Sequence, residues 1–122
     1  MANVHMIVGT LVVVGYLALV VVYFLGMRGK QIGLARPLSM AAGAALLVQY
    51  MLGFSLLGGT GVKPSPIHYV LALAAIVTVG AEHALAPGQD TPEKRSRTAF
   101  IASLGTLILV AVAYSLGQNV EG

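Results

Sequence analysis

The chain has 122 residues, 57% hydrophobic and only 9% charged, with a formal net charge of +3 and a mean hydropathy of +0.88. Soluble domains carry about a quarter charged residues, so a water-soluble enzyme core is excluded, and the abundance of Val, Leu and Ile excludes disorder. The absence of Cys excludes disulfides, thiolate metal sites and Cys-ligated clusters. The length fits one membrane domain spanning residues 1–122.

Four continuous apolar stretches are long enough to cross a hydrocarbon core of about 30 Å, which needs roughly 20 helical residues. They cover about 4–27, 37–58, 66–86 and 98–117. Their apolar character is unbroken rather than alternating, and a spanning backbone must satisfy its own hydrogen bonds, so helices are expected rather than strands. The predicted fold is an all-α integral membrane protein, an antiparallel bundle of four transmembrane helices. Pro37 and Pro66 fit first-turn positions, where a missing amide proton costs nothing. Gly58-Gly59-Thr60-Gly61 is expected to end the second helix and Pro87-Gly88 the third.

Charge sets the expected orientation. Arg28, Lys30 and Arg36 flank the first loop, Lys94, Arg95 and Arg97 lie in the third, and Lys63 alone falls on the other side. The positive-inside rule puts the two basic loops in the cytoplasm and both termini on the outer, periplasmic side of a plasma (inner) membrane. The first apolar run lacks a basic leader, and its length fits an uncleaved span better than a signal peptide. The net positive charge reads as contact with anionic headgroups, not with nucleic acid. Tyr69 and Tyr114 are expected near the outer interface, with Tyr23 and Phe24 near the inner one. Small residues spaced four apart (Ala41 with Ala45, Gly80 with Ala84, Ala99 with Ser103, Ala113 with Gly117) favour close helix packing.

The chain also reads as two hairpins of one kind, a weak internal repeat. Val4-His5-Met6 opens the first and Ile67-His68-Tyr69 the second; Phe54-Ser55-Leu56-Leu57-Gly58 and Ala113-Tyr114-Ser115-Leu116-Gly117 close them. Such a pair would be related by an axis along the membrane normal.

Ionisable residues inside a membrane are costly and mark functional sites by default. His5 and His68 each open an inward-running helix, so they are expected at one depth near the outer leaflet. Axial imidazoles on facing helices are an established way to hold haem, and Gly9 and Ala72, one turn in, would leave room for a porphyrin. The alternative is that both imidazoles snorkel to water. His83 and Glu82, near the cytoplasmic face, invite a proton relay or a second haem site pairing His83 with Met40; the alternative is that both simply reach headgroup water. Copper is open to His5-Met6. Gln49, at bilayer depth, is expected to face inward and bond a neighbouring helix or a ligand. Thr10, Thr78 and Thr106 are expected to bond back to their own helices. No nucleophile elbow, phosphate loop or zinc-protease motif is present, so an enzyme is not the favoured class.

The segment Gln49-Tyr50-Met51-Leu52-Gly53, followed by Pro66-Ile67-His68-Tyr69-Val70-Leu71-Ala72, resembles four-helix halves of haem-handling membrane proteins such as haem A synthase and, more loosely, the b561-type cytochromes. In those families Gln-x-x-Leu-Gly closes one helix and a His opens the next, which carries over to Gln49, Gly53 and His68. The resemblance implies haem b binding. The missing acidic residue in the outer loop argues against synthase activity. The function that follows is a small b-type cytochrome acting as an electron-transfer subunit of a respiratory or photosynthetic assembly; the alternative is a cofactor-free accessory subunit of a membrane complex. Either would sit in the bilayer with other subunits or further copies of itself.

Overall fold

The computed structural model describes residues 2–57 and 66–121, with side chains described over 3–53 and 66–116. It contains four α-helices: α1 (Ala2–Met27), α2 (Ala35–Leu57), α3 (Pro66–Leu85) and α4 (Pro92–Glu121). A short 3-10 turn, Ala86–Gly88, follows α3, and no strand occurs among the described residues. The expected all-α, four-helix fold is therefore present. The glycine cluster 58–61, Lys63, and the side chains of the repeat segment at Phe54–Gly58 lie outside the described residues.

The helix ends follow from local chemistry. At the end of α1, Gly29 takes φ +91°, and its amide bonds Gly26 O while Lys30 N bonds Leu25 O at 2.9 Å. These two bonds form a Schellman cap, whose left-handed residue is best supplied by glycine. Helix α4 begins at Pro92, well before the expected start near Thr98. Pro92 occupies the first turn, the Thr91 hydroxyl accepts from Lys94 N at 3.1 Å, and Glu93 lies where the helix dipole favours an anion. A charged first turn is invisible to hydropathy but well suited to helix formation.

Helices α1 and α2 pack together, as do α3 and α4; α1 packs most extensively on α4, whereas α2 and α3 do not pair closely. The order around the bundle is thus α2–α1–α4–α3, with an open seam between α2 and α3. Two hairpins do form, but a faithful repeat would make the α1–α4 and α2–α3 seams alike, and they differ. The α1–α4 seam has a readable cause. Buried residues on α1 run Gly9, Val12, Tyr16, Leu19, Tyr23, Gly26, and on α4 Ser96, Ala99, Ser103, Thr106, Val110, Ala113. Both rows step alternately by three and four, the spacing of interlocking helices, and the small side chains of α4 receive the large ones of α1. Thr78 and Thr106 hydrogen-bond across α3–α4 at 2.6 Å. Each also bonds back to its own helix, as does Thr10 to Met6 O at 3.0 Å.

The outer surface is apolar on every helix: Leu11 is 61% exposed, Met51 71%, Val77 71% and Ile101 63%. Three helical segments, Asn3–Met27, Pro66–Gly88 and Pro92–Leu116, are long and apolar enough to cross a membrane. The fourth expected span, about 37–58, extends past Gly53 into residues whose side chains lie outside the described ones, so only its first part, with Arg36 and Pro37 at its start, is seen.

The small-residue pairs divide. Ala99, Ser103 and Ala113 line the packed seam, whereas Gly80 and Ala84 are exposed and a Cβ at Gly80 would meet nothing within 4 Å. At Gly26, by contrast, an added Cβ would collide with Ser96 Oγ and lie 2.9 Å from Ser96 Cβ. Gly26→Ala should therefore lower the stability of the detergent-solubilised protein by about 1–3 kcal/mol, while Gly80→Ala should raise it by up to about 1 kcal/mol. Thermal unfolding of both variants tests the contact; equal behaviour would refute it.

Candidate functional site

Polar groups gather inside the bundle at its two ends. At the terminal end, where α1 and α3 begin and α2 and α4 finish, Gln49 Nε2 lies 3.5 Å from His5 Nε2, as an inward-facing amide requires. His68 Nδ1 donates to Ala113 O at 2.7 Å, fixing its ring against α4. The Tyr114 hydroxyl pairs with Thr10 Oγ1 at 2.9 Å. A Cβ at Gly53 would stand 3.3 Å from His5 Cε1, so the glycine makes room for the imidazole.

The donor chemistry of this end suits a haem, since His68 keeps its second nitrogen for a ligand and an oriented imidazole is a better one. The cavity bounded by Gly9, Gln49, His68 and Ala72 holds about 60 Å³ among the described residues, and His5 does not line it. Sites for drug-sized ligands begin near 300 Å³. A Cβ at Gly9 would lie 2.9 Å from Gln49 Nε2 and 3.1 Å from Tyr114 Cδ2, so the room expected there is closely lined. Residues 58–65, which join α2 to α3, lie outside the described ones. Among the described residues no three His, Asp or Glu side chains converge as a metal site.

The basic end holds the more developed arrangement. Glu82, on the last turn of α3, is 3% exposed. Its carboxylate accepts from Tyr23 OH of α1 at 3.0 Å, from Ser103 Oγ of α4 at 3.0 Å and from Ser39 Oγ of α2. One carboxylate thus receives a hydroxyl from each of the other three helices. Ser39 Oγ also lies 3.4 Å from His83 Nε2, and that nitrogen stands 3.9 Å from Glu82 Oε2, so Glu82, Ser39 and His83 form a continuous polar chain. Glu82 is buried among these hydroxyls, and Tyr23 is its buried partner. Phe24 does keep an exposed position, against Phe100 at 6.0 Å and below the Arg28 guanidinium at 5.9 Å.

Glu82 and His83 open on a cavity of about 400 Å³ that Tyr23, Gln31, Arg36, Ser39, Arg95 and Ser96 help to line. The first loop is pinned over its edge: Gln31 Nε2 donates to Gly26 O at 2.8 Å and Gln31 Oε1 accepts from Ser96 Oγ at 3.2 Å. Arg95 Nη1 donates to Gln89 O at 3.0 Å across the second basic loop. His83 and Met40, paired in the sequence reading, do share a crevice, the open α2–α3 seam of about 320 Å³. Sequence reasoning took Ser103 as a packing residue and gave Ser39 no role. The signal was available in principle, because both lie on the buried rows that also carry Tyr23.

No protein-family model, curated protein or solved structure matches this chain.

The donors to Glu82 should separate cleanly from an ordinary buried phenol. Tyr23→Phe removes a hydrogen bond to a charged group, a loss of about 1.5–3 kcal/mol. Tyr16, wholly buried, has a hydroxyl with no hydrogen-bond partner among the described residues, so Tyr16→Phe should be neutral or stabilising. Paired denaturation curves in detergent check this, and the reverse order would disprove the network.

Proposed function

We propose that this chain is an integral plasma (inner) membrane protein with four spans, working as a cofactor-free accessory subunit of a larger membrane complex. The observation that carries the reading is Glu82. A bundle that is apolar on its outside keeps one carboxylate buried and supplies it with hydroxyls from three helices, an inside-polar, outside-apolar order that suits lipid rather than water. Six of the seven Lys and Arg residues lie in the two connections at the basic end or in the helix turns beside them, a bias that favours that end in the cytoplasm and both termini on the outer side. Helix α2 crosses with the rest because Gln49 and Ser39 turn inward, toward His5 and Glu82. Short loops leave little surface for soluble substrates, so partners are other membrane subunits or further copies of this chain.

A second reading, a small b-type cytochrome in a respiratory or photosynthetic assembly, has two observations in its favour. His68 is held by Ala113 O with a nitrogen to spare, and His83 and Met40 line one crevice. The residues that would hold iron are then His68 with His5, or His83 with Met40; haem, if bound, would supply one-electron chemistry. Purified from cells grown with ample haem, the protein should remain in carbonate-washed membranes and give no α-band in the reduced-minus-oxidised spectrum. A b-type band lost in His68→Ala or in His83→Ala would overturn the cofactor-free reading and identify the ligand. Release by carbonate would overturn the membrane reading itself.

A further inference from the structure

The polar cavity at the basic end and the apolar seam between α2 and α3 meet at His83, the residue that lines both. The seam is walled by Met40, Ala44, Leu47, Ile76 and Val79 and opens sideways, on the apolar flank of the bundle. Arg36 and Arg95 help to line the cavity, while the one carboxylate that lines it, Glu82, already accepts three hydroxyls. The positive charge at the mouth is therefore not cancelled by a close ion pair. Arg95 spends one nitrogen on Gln89 O and retains other donors, and a guanidinium matches phosphate oxygens two at a time.

We infer that this joined site binds one anionic phospholipid, its phosphate held by Arg36 and Arg95 and an acyl chain lying in the α2–α3 seam. The inference rests on the membrane reading above and adds the ligand class. Charge complementarity selects the head: a zwitterionic lipid brings its own cation to two arginines, whereas a phosphatidylglycerol head brings none. Depth agrees, because the cavity lies at the end with the basic loops, where headgroup phosphates of the cytoplasmic leaflet stand, and basic pockets between spanning helices on that side are established places for acidic headgroups. The seam explains why a whole lipid, and not a free anion, is the occupant. It is an apolar slot of about 320 Å³, which an inorganic phosphate would leave unfilled and a hydrocarbon chain would fill with van der Waals contacts.

The test is native mass spectrometry of the full chain in detergent, offered equimolar phosphatidylglycerol and phosphatidylcholine with identical chains. The wild type should retain one phosphatidylglycerol in preference. Arg36→Gln and Arg95→Gln should each weaken that preference about fivefold, and Ala44→Trp, which fills the seam, should reduce retention of both lipids alike. Lys94→Gln is the control, since Lys94 is exposed, lies outside the cavity lining and pairs with Asp90 at 3.2 Å; it should change nothing. Thermal unfolding of each variant without lipid keeps a folding defect distinct, and Leu47→Trp replaces Ala44→Trp if that one fails to fold. Equal retention of the two lipids, or a loss in Lys94→Gln matching that in Arg36→Gln, would overturn the site. So would displacement of the lipid by inorganic phosphate with no effect of the seam variants. If the protein stays in carbonate-washed membranes yet shows no lipid preference, the lipid site alone is wrong; if carbonate releases it, both readings fall together.

Discussion

A carboxylate inside an apolar bundle must be given hydrogen bonds, because leaving it bare costs several kcal/mol or more. Here that demand falls on Glu82, and meeting it fixes much of the basic end. Tyr23, Ser39 and Ser103 can reach one carboxylate only if α1, α2 and α4 hold a particular rotation and height against α3. Apolar packing tolerates sliding and rotation at modest cost; a fully occupied carboxylate does not, which is how a buried polar network selects one arrangement among several of similar packing. The interaction is as much a specification of register as a source of stability. It also matters most where packing is weakest, since Ser39 ties α2 to α3 across the seam that their backbones leave open.

That seam is the counterpart of the tight one. On α1 and α4, large residues of one helix face small residues of the other, and at Gly26 the approach to Ser96 leaves no room for a methyl group. Between α2 and α3 the large residues Met40, Leu47, Ile76 and Val79 line the seam, with small ones, Gly43 and Ala44, only on the α2 side, and the helices stand apart. A twofold hairpin repeat would have equalised the two seams. The divergence concentrates close packing on one side of the bundle and leaves a lateral opening on the opposite side, next to Glu82, the only buried carboxylate among the described residues.

Much of the architecture was legible in the sequence, because chain-long apolar runs, prolines at helix starts and the clustering of Lys and Arg each have one simple cause. The inward turn of Gln49 and the back-bonding of the three threonines followed in the same way. Three features were not legible, for physical reasons. The start of α4 lies in a charged turn, where helix capping rather than hydropathy decides. The burial of Glu82 depended on hydroxyls that belong to three other helices, and in a helix that is apolar all round, periodicity of polarity cannot reveal which face points inward. What carries the signal instead is size: the alternating three-and-four spacing of Ser, Ala and Thr on α4 against Val, Tyr and Leu on α1. The third is the close approach at Gly9, where Gln49 and Tyr114 come up from the neighbouring helices, a contact that depends on residues far along the chain.

The two ends of the bundle consequently do different work. Among the described residues the terminal end pairs His5 with Gln49 and Thr10 with Tyr114 and holds a cavity of about 60 Å³. The basic end holds its carboxylate with hydroxyls, which leaves the cationic groups at the cavity mouth uncommitted to it. Had Glu82 been neutralised by Arg36 or Arg95 directly, the cavity would have closed on an ion pair and carried no net attraction for anything outside. Satisfying a buried acid with three neutral donors keeps the acid buried and the arginines available, and that division follows from where Tyr23, Ser39 and Ser103 fall on their helices.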